Sequence, residues 1–192
     1  MEKFINVNQT TYQIIKLLGY GKGGYSYLAE NNGQQFVLKQ IHHNPCAYYT
    51  FGNKIESEVR DYDRLTNAGI RIPQMIDVDW DSERILKTYI EGNTIFELIC
   101  DHKDVSPFIL QVREMAESAK QHGLNIDYFP TNFVVNNNII WYIDYECNEY
   151  MNEWNFENWG IKYWSRTPEF ETYLRENPQS HSLPTNMLIL DQ

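Results

Sequence analysis

The sequence has 192 residues, of which 42% are hydrophobic and 15% aromatic, and its formal net charge is −10. This length allows one domain with a real core or two small lobes, but not two independent enzymes, and the apolar content excludes a disordered chain. The negative charge repels a phosphate backbone, so we expect no nucleic-acid partner. A single nucleotide stays possible, because a few lysines and backbone N–H groups bind phosphate inside an acidic surface.

The three cysteines, Cys46, Cys100 and Cys147, are an odd number without CxxC spacing. They suggest neither a disulfide framework nor a zinc ribbon. The first residues lack the basic start and apolar run of a signal peptide, and no apolar stretch approaches the roughly 20 residues of a membrane helix. We therefore expect a cytoplasmic protein without a membrane span.

The first part of the chain predicts an antiparallel meander. Strands are expected over 12–18, 25–29 and 35–41, and Asn32-Gly33 is a hairpin-turn signal between the last two. Segment 42–53 shows no clean period and predicts a loop. Segment 54–68 predicts an amphipathic helix, because its apolar residues are spaced by four and three. These apolar residues are Ile55, Val59, Tyr62 and Leu65.

The rest of the chain predicts two more strands and then mostly helices. The strands span 75–79 and 84–89, and helices are expected over 95–100, 107–121 and 153–163. The last helix is expected to place Trp154, Trp159 and Tyr163 toward the core. A small hairpin is expected from 133 to 143. This order predicts an α+β fold with an N-lobe over 1–90 and a C-lobe over 91–192.

Three glycines, Gly19, Gly21 and Gly24, form a GxGxxG pattern. By itself the pattern is weak, because a flexible β-turn explains it equally well. A dinucleotide-binding fold requires a helix directly after the glycines, whereas the following residues read as a strand. This context favours a loop that covers phosphates, as in kinases.

Lys39 ends the apolar strand FVLK, and Glu58 lies on the helix that follows. Taken singly, each is expected at the surface. Together, after the glycine loop, they match the lysine and helix-glutamate pair that orients the α- and β-phosphates.

Asp127 and Asn132 are separated by four residues, and Asp144 ends the apolar run 139–143. A strand that ends in a buried carboxylate is costly unless a cation or donor meets it. Mg²⁺ suits this position, because it prefers one or two carboxylates together with phosphate oxygens. The alternative is that Asp127 caps a turn and Asp144 lies in solvent.

From Tyr12 to Glu146, the order GxGxxG, FVLK, helix glutamate, DxxxxN and IDYE resembles the protein-kinase-like superfamily. IDYE is more similar to atypical members, such as RIO-type kinases and aminoglycoside phosphotransferases, than to the DFG of typical protein kinases. The chain as a whole is most similar to small bacterial serine/threonine-kinase-like proteins. The resemblance implies a minimal bilobal fold, with an antiparallel sheet and one helix in the N-lobe and a reduced, mostly helical C-lobe.

The resemblance also implies ATP and Mg²⁺ as cofactors. Lys39 would hold the α- and β-phosphates under the glycine loop, and Glu58 would orient Lys39. Asp127 would accept or orient the substrate hydroxyl, while Asn132 and Asp144 would bind Mg²⁺. The backbone from Thr88 to Ile90 would meet the adenine, with apolar walls from Ile14, Leu28 and Val37.

Some positions depart from the kinase pattern. Asn125 stands where a histidine usually precedes the catalytic aspartate, and Phe129 stands where serine/threonine kinases place a phosphate-contacting lysine. The expected function is an ATP-dependent phosphotransferase with a hydroxyl acceptor, similar to serine/threonine protein kinases. Two alternatives remain open, a small-molecule kinase and a pseudokinase or nucleotide-binding regulatory module.

Overall fold

A computed structural model describes residues 3–21, 23–44 and 52–178. The fold is α+β, as predicted. The chain forms two compact units, of which the first contains the residues up to Ser57 and Gln74–Tyr89 and the second contains Glu58–Pro73 and Ile90–Pro178. The assignment of 1–90 and 91–192 to kinase lobes stays a prediction.

The first unit contains a six-stranded antiparallel sheet. Its strands are β1 (Lys3–Val7), β2 (Thr10–Tyr20), β3 (Gly24–Asn31), β4 (Gln34–Ile41), β5 (Met75–Asp79) and β6 (Arg84–Thr88). In the sheet they lie in the order β1-β2-β3-β4-β6-β5. The predicted strands are confirmed, whereas β1 was not predicted because its sequence, KFINV, is short and lacks a sustained alternation.

One face of this sheet forms the hydrophobic core of the first unit. The Oδ1 of Asp79 accepts a hydrogen bond from Ser82 N at 2.9 Å within the β5–β6 turn. Its Oδ2 accepts from Asn8 N at 2.8 Å, which connects the edge strand β5 to the residue that follows the other edge strand, β1. The sheet is therefore curled. The core residues on the buried face of the sheet are Val7, Tyr12, Ala29, Phe36, Leu38 and Leu86.

Helix α1 (Lys54–Asn67) begins in the first unit and continues in the second, which confirms the predicted helix. It ends at Asn67, and Gly69 follows with a φ of +67°, a left-handed conformation that is common just after a helix. The loop predicted over 42–53 falls largely on 45–51, outside the described residues.

The second unit combines helices with two small sheets, β10-β9-β7 and β11-β8. The predicted helices near 95–100 and 107–121 and the predicted hairpin are confirmed. Three of the strands have only two or three residues, too few for a periodic signal. The elements are β7 (Asn93–Thr94), α2 (Ile95–Cys100), α3 (Ser106–Gln121), β8 (Leu124–Ile126), β9 (Phe133–Asn136), β10 (Ile139–Tyr142), β11 (Cys147–Glu149) and α4 (Pro168–Glu176).

The helix predicted over 153–163 is wrong. Short 3-10 helices occupy Asn152–Trp154 and Gly160–Tyr163, separated by a turn. Asn155 stabilises that turn, because its Oδ1 accepts from Asn158 N at 2.8 Å, a local bond that competes with helix formation. Trp154 is consequently 51% exposed instead of facing the core.

Across the described part of the chain, no helix combines the length and apolar character that a bilayer crossing requires.

Candidate functional site

The glycine turn joins β2 and β3, so a strand follows it directly, as predicted. Backbone bonds in both directions between Gly21 and Gly24 close the turn, at 3.0 and 3.3 Å. A Cβ on Gly24 would lie 2.4 Å from the backbone oxygen of Gln40, whereas a Cβ on Gly19 or Gly21 would meet no described atom within 4 Å. Sheet packing therefore requires Gly24, while Gly19 and Gly21 leave open space beside the turn.

His42 supports this turn, a role that no local sequence pattern indicates. Its Nε2–H donates to the Gly21 oxygen at 2.9 Å, and its ring stacks on Tyr20 with centroids 5.3 Å apart. The turn is therefore held by a side chain from the end of β4 as well as by its own backbone.

Lys39 is buried, with 9% of its surface exposed, so it does not lie at the solvated rim of the sheet. It pairs with Ser26 on β3 and with Ile85 on β6. Because side chains alternate along a strand, Lys39 lies on the face opposite the core residue Leu38.

A second buried lysine, Lys87, lies on the same face and is only 5% exposed. It pairs with Val37, two residues before Lys39 on β4. Sequence reasoning missed Lys87, because a lysine in a short strand ordinarily reads as solvated. Two buried lysines therefore lie on one face of the sheet.

The expected adenine contacts are only partly compatible with this sheet. Leu28 pairs with Val37, so these two walls share the lysine-bearing face. Ile14 was wrongly grouped with them, since it pairs with Ala29 and packs against the core on the opposite face. Thr88 N donates to Gln74 O at 3.0 Å. The adenine contact of Thr88 and Ile90 stays a prediction.

Glu58 lies on α1 in the second unit and is half-buried. Burial raises the pKa of the Tyr145 phenol, and the negative charges of Glu58 and Asp144 act in the same direction. Both carboxylates therefore lie within electrostatic range of one phenol. The pairing of Glu58 with Lys39 stays a prediction.

Asp127 follows β8 and is half-buried. Its Oδ1 accepts a hydrogen bond from Phe129 N at 3.0 Å. Asp127 therefore caps a turn, which is the first part of the alternative given in the sequence analysis. Asn132 Nδ2 also reaches the Asp127 carbonyl oxygen at 3.4 Å. The structure therefore brings this predicted pair together.

The segment that carries Asp144 is bound to the same loop. Ile143 N donates to the Asn132 carbonyl oxygen at 2.9 Å, and Asp144 Oδ1 accepts from Tyr145 N at 2.8 Å. Asp144 is half-buried, so it is not a fully solvated side chain.

Burial raises the pKa of Asp127, and the charges of Glu146 and Asp144 raise it further. The Phe129 N–H and the Asn132 side chain act in the opposite direction. Glu146 is thus a third carboxylate in this environment, to which the sequence analysis assigned no role.

Asn132 and Asp144 offer one amide oxygen and one carboxylate, a donor set that fits Mg²⁺ completed by phosphate oxygens and water. Within the described ranges, no three His, Cys, Asp or Glu side chains are grouped closely enough to hold a metal on their own.

The two departures from the kinase pattern have structural roles. Asn125 is 5% exposed and donates from Nδ2 to Met151 O at 2.8 Å, which braces β8. Phe129 packs among aromatic rings, with its centroid 5.2 Å from Tyr163 and 4.6 Å from Tyr173. Position 129 therefore contributes to a partly buried aromatic cluster instead of supplying a cation.

No protein-family model and no curated protein sequence matches this chain. The resemblance to the protein-kinase-like superfamily therefore stays a prediction from the sequence motifs.

Proposed function

We propose that this chain is an ATP- and Mg²⁺-dependent phosphotransferase that moves the γ-phosphate of ATP to a hydroxyl group. The observation that carries the proposal is the hydrogen-bonded connection between Asp127, Asn132 and the segment of Asp144. Asn132 bonds to the Asp127 carbonyl at 3.4 Å, and Ile143 N bonds to the Asn132 carbonyl at 2.9 Å. These three polar residues are the ones that the motif order assigns to transfer and metal binding.

Asp127 is proposed to act as the base that receives the acceptor's proton. The acceptor oxygen forms a bond to the γ-phosphorus, the bond from phosphorus to the β,γ-bridging oxygen breaks, and ADP leaves. The raised pKa of Asp127 suits this role, since a base works best when its pKa approaches the working pH. Mg²⁺, when bound through Asn132 and Asp144, supplies charge neutralisation of the phosphates.

The first unit is proposed to hold the triphosphate. Lys39 contributes a buried positive charge, and the open space beside Gly19 and Gly21 allows a close backbone approach to phosphate oxygens. A strand follows the glycines, which agrees with a phosphate-covering hairpin.

The favoured acceptor is a protein serine or threonine hydroxyl, following the resemblance of the motifs. The packing of Phe129 favours two alternatives, because this residue offers no cation to the transferred phosphate. One alternative is a kinase with a small-molecule acceptor. The other is a pseudokinase or regulatory module that binds nucleotide without transfer.

The first test is thermal unfolding with and without saturating ATP and Mg²⁺. At a ligand concentration of about 100 times Kd, binding stabilises by about 2.7 kcal/mol. For a chain of this size the midpoint should rise by about 5 to 10 °C. Asp144→Ala should lose the Mg²⁺-dependent shift, whereas the exposed control Asp63→Asn should retain it.

The second test separates transfer from binding. Asp127→Ala should keep the thermal shift but lose phosphate transfer to a panel of protein and small-molecule hydroxyls. Unchanged turnover in this variant would refute the role of Asp127. A shift without transfer in the wild type would support the regulatory module, and the absence of any shift would refute the nucleotide site.

A further inference from the structure

Tyr142 is a completely buried tyrosine at the end of β10 in the second unit, with 0% of its surface exposed. Its backbone N–H donates to Arg71 O at 2.9 Å, and its ring packs on Phe133 with centroids 5.3 Å apart. Tyr142 is therefore held in place through both its backbone and its ring.

The hydroxyl group of Tyr142 makes two hydrogen bonds. It donates to the Glu146 carbonyl oxygen at 2.7 Å and accepts from the Asp127 N–H at 3.3 Å. A phenol has one O–H donor and oxygen lone pairs, so a single oxygen satisfies two backbone groups of different segments.

These two backbone groups lie at the end of the β8–β11 ladder. Ile126 pairs with Cys147, so the next facing positions in an antiparallel ladder would be Asp127 and Glu146. Directly opposed residues place their Cβ atoms about 4.5 to 5.5 Å apart, and two like charges at that spacing are destabilising. The Tyr142 hydroxyl takes both backbone groups instead, so the ladder ends before the carboxylates face each other.

We propose that Tyr142 is a positioning residue, which ends the β8–β11 ladder and thereby sets Asp127 relative to the segment of Asp144 and Glu146. This inference rests on the proposed function, in which Asp127 and Asp144 carry the chemistry. The phenol fixes the backbone from which Asp127 projects, and it does so from the strand that leads into Asp144.

Tyr142→Phe removes the hydroxyl and keeps the ring. The matched control is Tyr145→Phe, because the Tyr145 hydroxyl is also buried and donates to Pro73 O at 2.7 Å, away from the ladder end. Both variants should lower the unfolding midpoint by similar amounts. Only Tyr142→Phe should accelerate hydrogen exchange of the Asp127 amide, by about tenfold or more, since that amide loses its acceptor.

Steady-state kinetics supply the second readout. Tyr142→Phe should lower kcat by about tenfold or more while the KM for ATP stays unchanged, because the hydroxyl contacts the Asp127 loop and not the glycine turn. Tyr145→Phe should lower kcat less than Tyr142→Phe does, because the Tyr145 hydroxyl bonds to Pro73 O and not to the Asp127 backbone. A loss of stability alone would affect the two variants alike.

Equal Asp127 amide protection in the two variants overturns the proposal, and so does equal kcat. A wild-type protein without transfer would refute the proposed function, and the amide exchange would then decide the positioning role alone. In that case lost protection in Tyr142→Phe supports the role, and retained protection overturns it.

Discussion

The indole Nε1–H of Trp164 donates a 2.8 Å hydrogen bond to the backbone carbonyl oxygen of Tyr128, the residue that follows Asp127. Both residues are only 1% exposed. Trp164, which follows Asp144 in the chain, therefore supports the loop that contains Asp127, the candidate base. Trp164 therefore belongs to the support of the site, although it lies far from Asp127 in sequence.

Trp164→Phe should destabilise the protein strongly. The substitution removes the indole donor, leaves a buried carbonyl unsatisfied and opens a void, which together cost about 2 to 4 kcal/mol. Urea unfolding measures this change. Trp154→Phe is the control, because its side chain is 51% exposed, and it should change the free energy of unfolding by about 0.5 kcal/mol or less.

Gly160→Ala should also destabilise the second unit. A Cβ at this position would lie 2.6 Å from the Tyr128 Cβ and 2.9 Å from the Phe156 ring, so the neighbours would have to move. Overpacking of this kind costs about 1 to 3 kcal/mol. Gly52→Ala, whose added Cβ meets no described atom within 4 Å, should leave the thermal midpoint nearly unchanged.

Asp79 should make the stability of the protein depend on acid pH. Hydrogen bonds from the backbone N–H groups of Ser82 and Asn8 hold the pKa of this carboxyl below its usual range. Its contribution is therefore fully present above the unfolded-state pKa of about 4, and it is lost as the pH falls through the lower folded-state value.

Asp79→Asn tests this pH dependence. The difference in unfolding free energy between wild type and variant should be largest near neutral pH and should shrink as the pH falls below about 4. Asp81→Asn, an exposed neighbour, should show a small difference at every pH. If the difference in unfolding free energy between wild type and Asp79→Asn stayed constant with pH, the lowered pKa of Asp79 would not be the cause of the acid dependence.

Cys147 should resist alkylation in the folded protein. The side chain is 3% exposed, and burial, together with the nearby charge of Asp61, raises the pKa of its thiol to about 12. The thiolate is the reactive species, so iodoacetamide at about pH 8 should leave Cys147 unmodified until denaturant is added. Peptide mapping by mass spectrometry measures this, and rapid native modification of Cys147 would contradict the packing of β11.

The sequence predicted those elements whose signals are local. Asn32 and Gly33 adopt positive φ values of 50° and 77°, as their turn signal requires, and α1 follows its apolar spacing. The bulge between Ile14 and Lys16 shifts the register of β2 against β3, which a period-2 pattern does not reveal. Ile14 pairs with Ala29 on the core face, and the local sequence of β2 does not reveal this cross-strand pairing.

The candidate site was predictable where its residues are close in sequence. Asp127 and Asn132 lie in one loop, so their spacing alone indicated a common site. The Tyr142 hydroxyl and the burial of Lys87 depend on strand pairing over long sequence distances. A side-chain hydroxyl that replaces a hydrogen bond between two strands produces no periodic pattern in the sequence. The sequence therefore did not indicate a role for Tyr142.

The tight contact of Gly24 with the Gln40 backbone changes how mutations in the glycine motif have to be interpreted. The three glycines form one motif in sequence, yet their constraints differ. A side chain at Gly24 would push β3 away from β4, so the resulting loss of activity would report on folding and not on nucleotide binding. An added Cβ at Gly19 or Gly21 would meet no described atom within 4 Å, so substitutions at these two positions are the informative probes of the proposed phosphate contact.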